Sequence, residues 1–245
     1  MSEFNEFDQQ GSVPNRETGS IISHAFEMYK GIFGYAVVAM IIYIVGGMII
    51  QSVTGFNSAA IMDEMRSSGD YGNFRYWETP GFSMYMTFSS LFLLLLTPLY
   101  VGLIYMVNKF NTKNPIEFSD LFIGYRQNFV NILIYGFISG LISSVALGLC
   151  FIPFIFVYPF LLLGYPILLF ENGSAIDALS KSFNIAKENY GTFLGVSFLG
   201  MLISVAGVVL CGIGLILTAP FIMIVMYSAY CAFIGKPRQI TYTKQ

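Results

Sequence analysis

Residues 178–191 read ALSKSFNIAKENYG, with Lys181, Lys187 and Glu188 set between two long apolar blocks. The apolar members Leu179, Phe183, Ala186 and Tyr190 are spaced four, three and four residues apart. That spacing draws one stripe along an α-helix. The segment is too polar to cross a bilayer and too apolar on one side to stand in water. A helix lying in the membrane interface is the expectation. The pattern occurs twice more. FSDLFIGYRQNFV (118–130) puts Phe118, Phe122, Tyr125 and Phe129 on the stripe, and ISHAFEMYKGIFG (22–34) puts Ile22, Phe26, Tyr29 and Phe33 there. Each copy has a serine (Ser23, Ser119, Ser180), then a phenylalanine (Phe26, Phe122, Phe183), then a cation four residues later (Lys30, Arg126, Lys187).

What surrounds these segments is greasy. Hydrophobic residues make up 56% of the 245-residue chain, mean hydropathy is +0.68, and 11% of residues are charged. A soluble domain carries about 25% charged residues. Uncharged runs cover 31–62, 79–108, 127–170 and 189–235. At about 20 residues per span, the first two runs hold one helix each and the last two hold two each. The expected spans are 32–54, 82–107, 129–149, 153–170, 191–211 and 213–235. These runs are continuously apolar, whereas barrel strands alternate, so the reading is an all-α integral membrane protein with six transmembrane helices.

Arg16, Lys30, Lys109, Lys113, Arg126, Lys181, Lys187, Lys236, Arg238 and Lys244 fall on one face of that topology, and only Arg66 and Arg75 on the other. Cytoplasmic loops collect Lys and Arg, which places both termini in the cytoplasm and suits a bacterial inner membrane. The polar, acidic start lacks a basic stretch followed by an apolar one, so no cleavable leader is expected. Residues 1–17 read as a disordered tail and 236–245 as a second tail. Tyr76 and Trp77, near Pro80, suit an interfacial anchor on the outside loop 56–81.

The copies extend into a repeat. Residues 119–160 laid on 180–221 agree, without a gap, at 14 of 42 positions, among them Asn128/Asn189, Cys150/Cys211, Pro159/Pro220 and Phe160/Phe221. From motif serine to proline the separation is 40 residues in both; in the first copy, Ser23 to Pro98, it is 75. The extra 35 residues correspond to the outside loop. Three units follow, about 18–109, 114–171 and 174–235, each an interfacial amphipathic helix and a transmembrane hairpin. Parallel repeats of this kind are related by an axis along the membrane normal.

Asn114-Pro115-Ile116-Glu117 reads as an N-cap, a proline at N1 and an acid at N3, and Ser174 with Asp177 as a second start signal. Lys30, Arg126, Lys181 and Lys187 are candidates for anionic lipid headgroups, at about 1 kcal/mol per charge near such a surface. Pro98, Pro159 and Pro220 are candidate helix kinks that could line a cavity.

Candidate chemistry is sparse. His24, the single histidine, reads as an interfacial polar residue, and one histidine does not make a His-rich metal centre. Cys150, Cys211 and Cys231 form no CxxC pair, and whether Cys150 and Cys211 join is left open. No Asp, Glu, Lys, Arg or His falls within an expected span, which argues against an ion-coupled pump. No Gly-rich phosphate loop, nucleophile elbow or basic nucleic-acid patch is visible. The reading is therefore of a chain without catalytic residues, cofactor or metal.

The stretch ALSKSFNIAKENYGTF and the hydrophobic hairpin that follows, together 175–235, resemble a loose group of bacterial polytopic membrane families. One is the membrane domain that accompanies some glycerophosphodiester phosphodiesterases. The catalytic histidines and acids of that enzyme's soluble domain have no counterpart in this sequence, so the resemblance implies an architecture and no activity. The functional expectation is a non-enzymatic accessory or scaffold subunit, or a factor in membrane organisation. Its partners would be the bilayer and a protein contacting 56–81 or the N-terminal tail. The alternative is a transporter or channel for a lipid-like or uncharged solute.

Overall fold

The computed structural model describes residues 11–68, 75, 78–149, 151–210 and 214–235. Among these the chain is helical, with no strand. The elements in order are α1 (Thr18–Thr54), α2 (Ser58–Ser68), α3 (Phe82–Asn111), α4 (Ile123–Arg126), α5 (Phe129–Gly148), α6 (Phe151–Val157), α7 (Gly164–Glu171), α8 (Ala175–Glu188), α9 (Tyr190–Ala206), α10 (Leu215–Thr218) and α11 (Phe221–Phe233). Short 3-10 turns at Phe118–Phe122, Tyr158–Leu161 and Gly207–Leu210 join some of them. Six stretches are long and apolar enough to cross a membrane: Thr18–Thr54, Phe82–Asn111, Phe129–Gly148, Phe151–Glu171, Tyr190–Val209 and Leu215–Phe233.

The expected interfacial helices take three different forms. The third copy is a separate helix, α8, capped as read: Ser174 Oγ accepts the Asp177 N–H at 3.1 Å. The second copy is a 3-10 turn followed by the four-residue α4. In the first copy the separate in-plane helix is corrected, because 22–34 runs unbroken into the span within the 37-residue α1. At about 1.5 Å per residue, α1 is longer than a bilayer core of about 30 Å is thick. One position explains the difference. The break after the second copy is Asn128, in the left-handed region at φ 50°, and the break after the third is Asn189, at φ −122° and ψ 32°. The first copy has Ile32 at this position. Asparagine tolerates such conformations, whereas a β-branched residue resists them and continues the helix.

The start signal at Asn114 is also corrected. Lys113 is left-handed at φ 57°, the Asn114 N–H donates to the Lys109 carbonyl at 2.8 Å, and the Lys113 N–H donates to Phe110 at 3.1 Å. This closes the end of α3 as a Schellman motif. The following turn is capped by Glu117 instead, with Asp120 returning a carboxylate to the Glu117 N–H at 2.7 Å.

Packing divides the chain into two compact units, 40–96 alone and residues up to 39 with 97 onward. In the smaller unit Phe56 is buried, stacked on Tyr85 at 4.5 Å and edge-on to Phe82 at 5.7 Å. The segment between the first two spans includes helix α2, capped by Asn57, whose Oδ1 accepts the Ala60 N–H at 3.1 Å.

The larger unit has its core in the residues after the three prolines. Leu99, Leu103, Ile104 and Met106 of α3, Leu161–Leu163 with Ile167–Leu169, and Ile224–Ala232 of α11 are all buried. A helix buried on all sides is a central helix, and α11 holds that place. Peripheral helices bury one stripe: Ile21, Ala25, Met28, Ile32, Ala36 and Ala39 in α1.

Candidate functional site

The elbows, meaning the three copies of the opening motif, come first. Lys30, Arg126 and Lys187 are exposed, each one turn after Phe26, Phe122 or Phe183. Phe26 and Phe183 remain 43% and 44% exposed. Lys181 is placed differently from the other cations. Its Nζ lies 2.6 and 2.7 Å from the two Glu171 oxygens, so it braces the turn between α7 and α8. The buried face of α8 also differs from the expected stripe. Ala175, Ala178, Ser182 and Ala186 are buried, whereas Phe183 and Ile176 are not. Small residues allow the backbone of Tyr158–Leu161 to come close, and the larger apolar side chains turn outward.

Each elbow grips the proline region of a hairpin. On the third, Ser182 Oγ donates to the Phe160 carbonyl at 2.6 Å and accepts the Leu163 N–H at 3.2 Å, and Phe183 packs on Phe160 at 4.8 Å. On the first, Phe26 packs on Phe221 at 4.6 Å. On the second, the backbone itself touches: a Cβ at Gly124 would stand 2.3 Å from the Pro98 carbonyl oxygen, and one at Gly102 would stand 1.9 Å from that of Leu121. The second elbow is further tied to α3 by Lys109 Nζ and Asp120 Oδ2 at 2.8 Å. Third elbow on Pro159, second on Pro98 and first on Pro220 together make a closed cycle.

The prolines break helices to different degrees. Pro98 lies inside a continuous α3, Pro159 starts the 3-10 turn after α6, and Pro220 separates α10 from α11. A proline leaves a carbonyl of the preceding turn without its partner. Tyr190 donates its hydroxyl to the Phe156 carbonyl at 3.1 Å, and Tyr29 donates to that of Leu217. Each of these carbonyls lies three residues before a proline.

A third cluster was not legible in the sequence. His24, expected beside headgroups, is only 6% exposed. Its Nδ1 lies 2.9 Å from Ser228 Oγ, and its Nε2 lies 3.1 Å from both the Oγ and the carbonyl of Ser12. The physical reason is register: His24 stands between Ile21, Ala25 and Met28 on the buried stripe of α1. Residues 11–17, expected as part of a disordered tail, form a strap tied to the large unit. Asn111 holds Ser12, and Arg16 Nε donates to the Ala232 carbonyl at 3.1 Å. Residues 1–10 lie outside the described residues, as do Cys150, Cys211 and Trp77. Cys231 is buried and unpaired.

The Ser12–His24 contact resembles a nucleophile and base, but the hydrogen bonds assign it otherwise. The Ser12 carbonyl beside Nε2 accepts only, so this nitrogen carries the proton. Nδ1 then accepts from Ser228, and the Ser12 hydroxyl donates to Asn111 Oδ1 at 3.0 Å. Every group has a partner, and no lone pair of Nε2 faces Ser12. The cluster is therefore suited to holding a backbone.

Comparison with protein-family models, with curated proteins and with solved structures finds no match.

Proposed function

We propose that this chain is a non-enzymatic scaffold or accessory subunit of the bacterial inner membrane, with both termini in the cytoplasm. The observation that carries this reading is the closed cycle of elbows on proline-broken hairpins. It locks the larger unit at three places, with large side chains such as Tyr135, Phe193, Phe221 and Tyr227 fully buried inside. A packed body with a separate unit at 40–96 suits a protein that holds a partner through its least regular segment, because loops on rigid scaffolds carry recognition. The three exposed cations, each beside an exposed or half-buried aromatic, would seat the elbow face against anionic headgroups. The likeness of 175–235 to membrane domains that accompany soluble enzymes accords with an accessory role.

The test is removal of residues 58–78 from the tagged chain. Membrane yield and detergent elution should stay as in the wild type, while the proteins co-purifying with it are lost. An unchanged set of co-purifying proteins overturns the reading.

A second reading is transport of a lipid-like or uncharged solute. One observation favours it. The second, fourth and sixth spans, which hold the prolines, have 61, 50 and 61% of their apolar stretch buried, against 22, 17 and 33% for the other three. Liposomes containing the protein would then pass a fluorescent short-chain lipid between leaflets faster than empty ones; equal rates reject it.

A further inference from the structure

Residues 11–16 are held in an unusual way, mostly by their backbone. Asn111 meets Ser12 from both sides of its side-chain amide: the Ser12 N–H donates to Oδ1 at 2.7 Å, and Nδ2 donates to the Ser12 carbonyl at 2.9 Å. This is the two-way exchange that paired strands make, supplied by one side chain. It recognises a main chain, and the serine hydroxyl adds a side-chain contact by donating to the same Oδ1 at 3.0 Å. His24 adds a contact to the same carbonyl. Gly11 sets a size limit, since a Cβ there would lie 2.7 Å from the Asn111 side chain. Downstream, Pro14 is buried, and the Arg16 guanidinium lies 5.4 Å over the Phe233 ring while its Nε holds the Ala232 carbonyl.

The floor beneath the strap is held together by its own bonds. Asn111 Nδ2 donates to Tyr227 Oη at 3.0 Å, Tyr227 donates to Asn108 Oδ1 at 3.2 Å, and His24 Nδ1 is paired with Ser228. These residues sit on α1, α3 and α11, all within the larger unit. Their positions are fixed by helices and not by the strap. A preformed floor that reads a backbone is a peptide site, because the ordering cost is met before the ligand arrives.

We propose that the floor at Asn111, His24 and Tyr227 is a docking groove for an extended segment of a partner protein, one bearing a Gly-Ser pair followed four residues later by an arginine. Residues 11–16 are its resident and displaceable occupant. A tethered occupant competes at an effective concentration in the millimolar range, so the groove opens only to a partner that binds well or is itself held nearby. The proposal stands independently of the scaffold reading, which concerns 58–78.

The test uses the full chain in nanodiscs and a fluorescein-labelled peptide with the sequence of residues 8–20, followed by anisotropy. Gly11→Val in the protein weakens its own strap through the collision with Asn111 and changes no residue of the helices. That variant should bind the peptide about tenfold more tightly than the wild-type chain, in which the groove is already occupied. Binding should be lost when Asn111→Ala is added, and also when the peptide carries Ser12→Pro, which removes the donated N–H. Trypsin supplies a second readout, since Arg16 lies in the strap. Cleavage after Arg16 should be about fivefold faster in the Gly11→Val chain than in the wild type, because cutting requires local opening. No binding of the wild-type peptide by the Gly11→Val chain overturns the proposal. Binding that survives both Asn111→Ala and the Ser12→Pro peptide overturns it as well, as does equal cleavage of the two chains.

Discussion

Two glycines decide how closely the second elbow can approach α3. Gly102 and Gly124 face each other's backbone neighbours, and a side chain at either would meet a carbonyl, which cannot rotate away. Gly102→Ala should destabilise the detergent-solubilised protein by about 1–3 kcal/mol, the usual cost of overpacking, read as a lowered midpoint in an SDS titration followed by circular dichroism. Gly34 supplies the control, because nothing lies within 4 Å of its Cβ position. Gly34→Ala should be neutral or stabilising by about 1 kcal/mol, since alanine is the better helix former. Equal losses at the two positions would mean that helix propensity, and not the close approach, governs them. His24 belongs to the same scale. Its periodic neighbours make it a buried position in principle, yet its partners Ser12 and Ser228 belong to two other parts of the chain. No spacing rule connects them, and for that reason the histidine read as an interfacial polar residue is instead buried against the strap.

Among the elements, the breaks between elbow and span depend on asparagine. Asn128 takes a left-handed backbone, and its side chain donates to the carbonyls of Leu168 at 3.1 Å and Gly173 at 2.9 Å. Its Oδ1 also accepts from Asn131 Nδ2 at 2.6 Å, so Asn128→Ala removes three hydrogen bonds at about 1 kcal/mol each and adds a left-handed penalty of about 1–2 kcal/mol. The expected total is about 4 kcal/mol. Asn128→Gly removes the same bonds without the backbone penalty, so its loss should be smaller by that difference in the same SDS titration. Glycine as damaging as alanine would refute the assigned role of the backbone. At the start of α8, Ser174→Ala should cost about 1 kcal/mol through loss of its cap, measured likewise. The spans themselves were legible because about 20 apolar residues without charge have few other fates. The cap at Ser174 was legible because serine and aspartate three apart satisfy the first turn's N–H groups locally. The merger of the first elbow into α1 was not read. The pattern at 22–34 matched the other copies in its apolar stripe, and the stripe does not encode the break. Ile32 in place of asparagine was the available sign. The choice of buried face on α8 was missed for a related reason: side-chain size was read as a wish to be buried, whereas in a membrane small residues mark the contact.

For the molecule as a whole, the cycle of elbows joins chain segments that are far apart in sequence, and it accounts for the alternating burial of the spans. An elbow that grips the preceding hairpin at its proline draws that proline-bearing helix inward and leaves the other helix of the hairpin outside. The repeat of 61 residues made the units visible, but the order in which they contact one another is a tertiary fact. Phe26 belongs beside Phe221, at the opposite end of the chain, only because the third unit returns to the first. The cycle carries a topological consequence. All three elbows must lie at one membrane face, because each is separated from the next by a pair of spans. Cysteines placed singly at Lys30, Arg126 and Lys187 in a background without Cys150, Cys211 and Cys231 should behave alike toward a membrane-impermeant maleimide. They should stay unlabelled in intact spheroplasts and become labelled once the membrane is opened. A cysteine at Arg66, on the segment between the first two spans, should be labelled in intact spheroplasts. If all four positions exchange behaviour together, the cycle survives and only the cytoplasmic placement of the termini fails. If one elbow is labelled from the face opposite to the other two, a span has been miscounted, the hairpins no longer return the chain to a common face, and a closed cycle of elbows is ruled out.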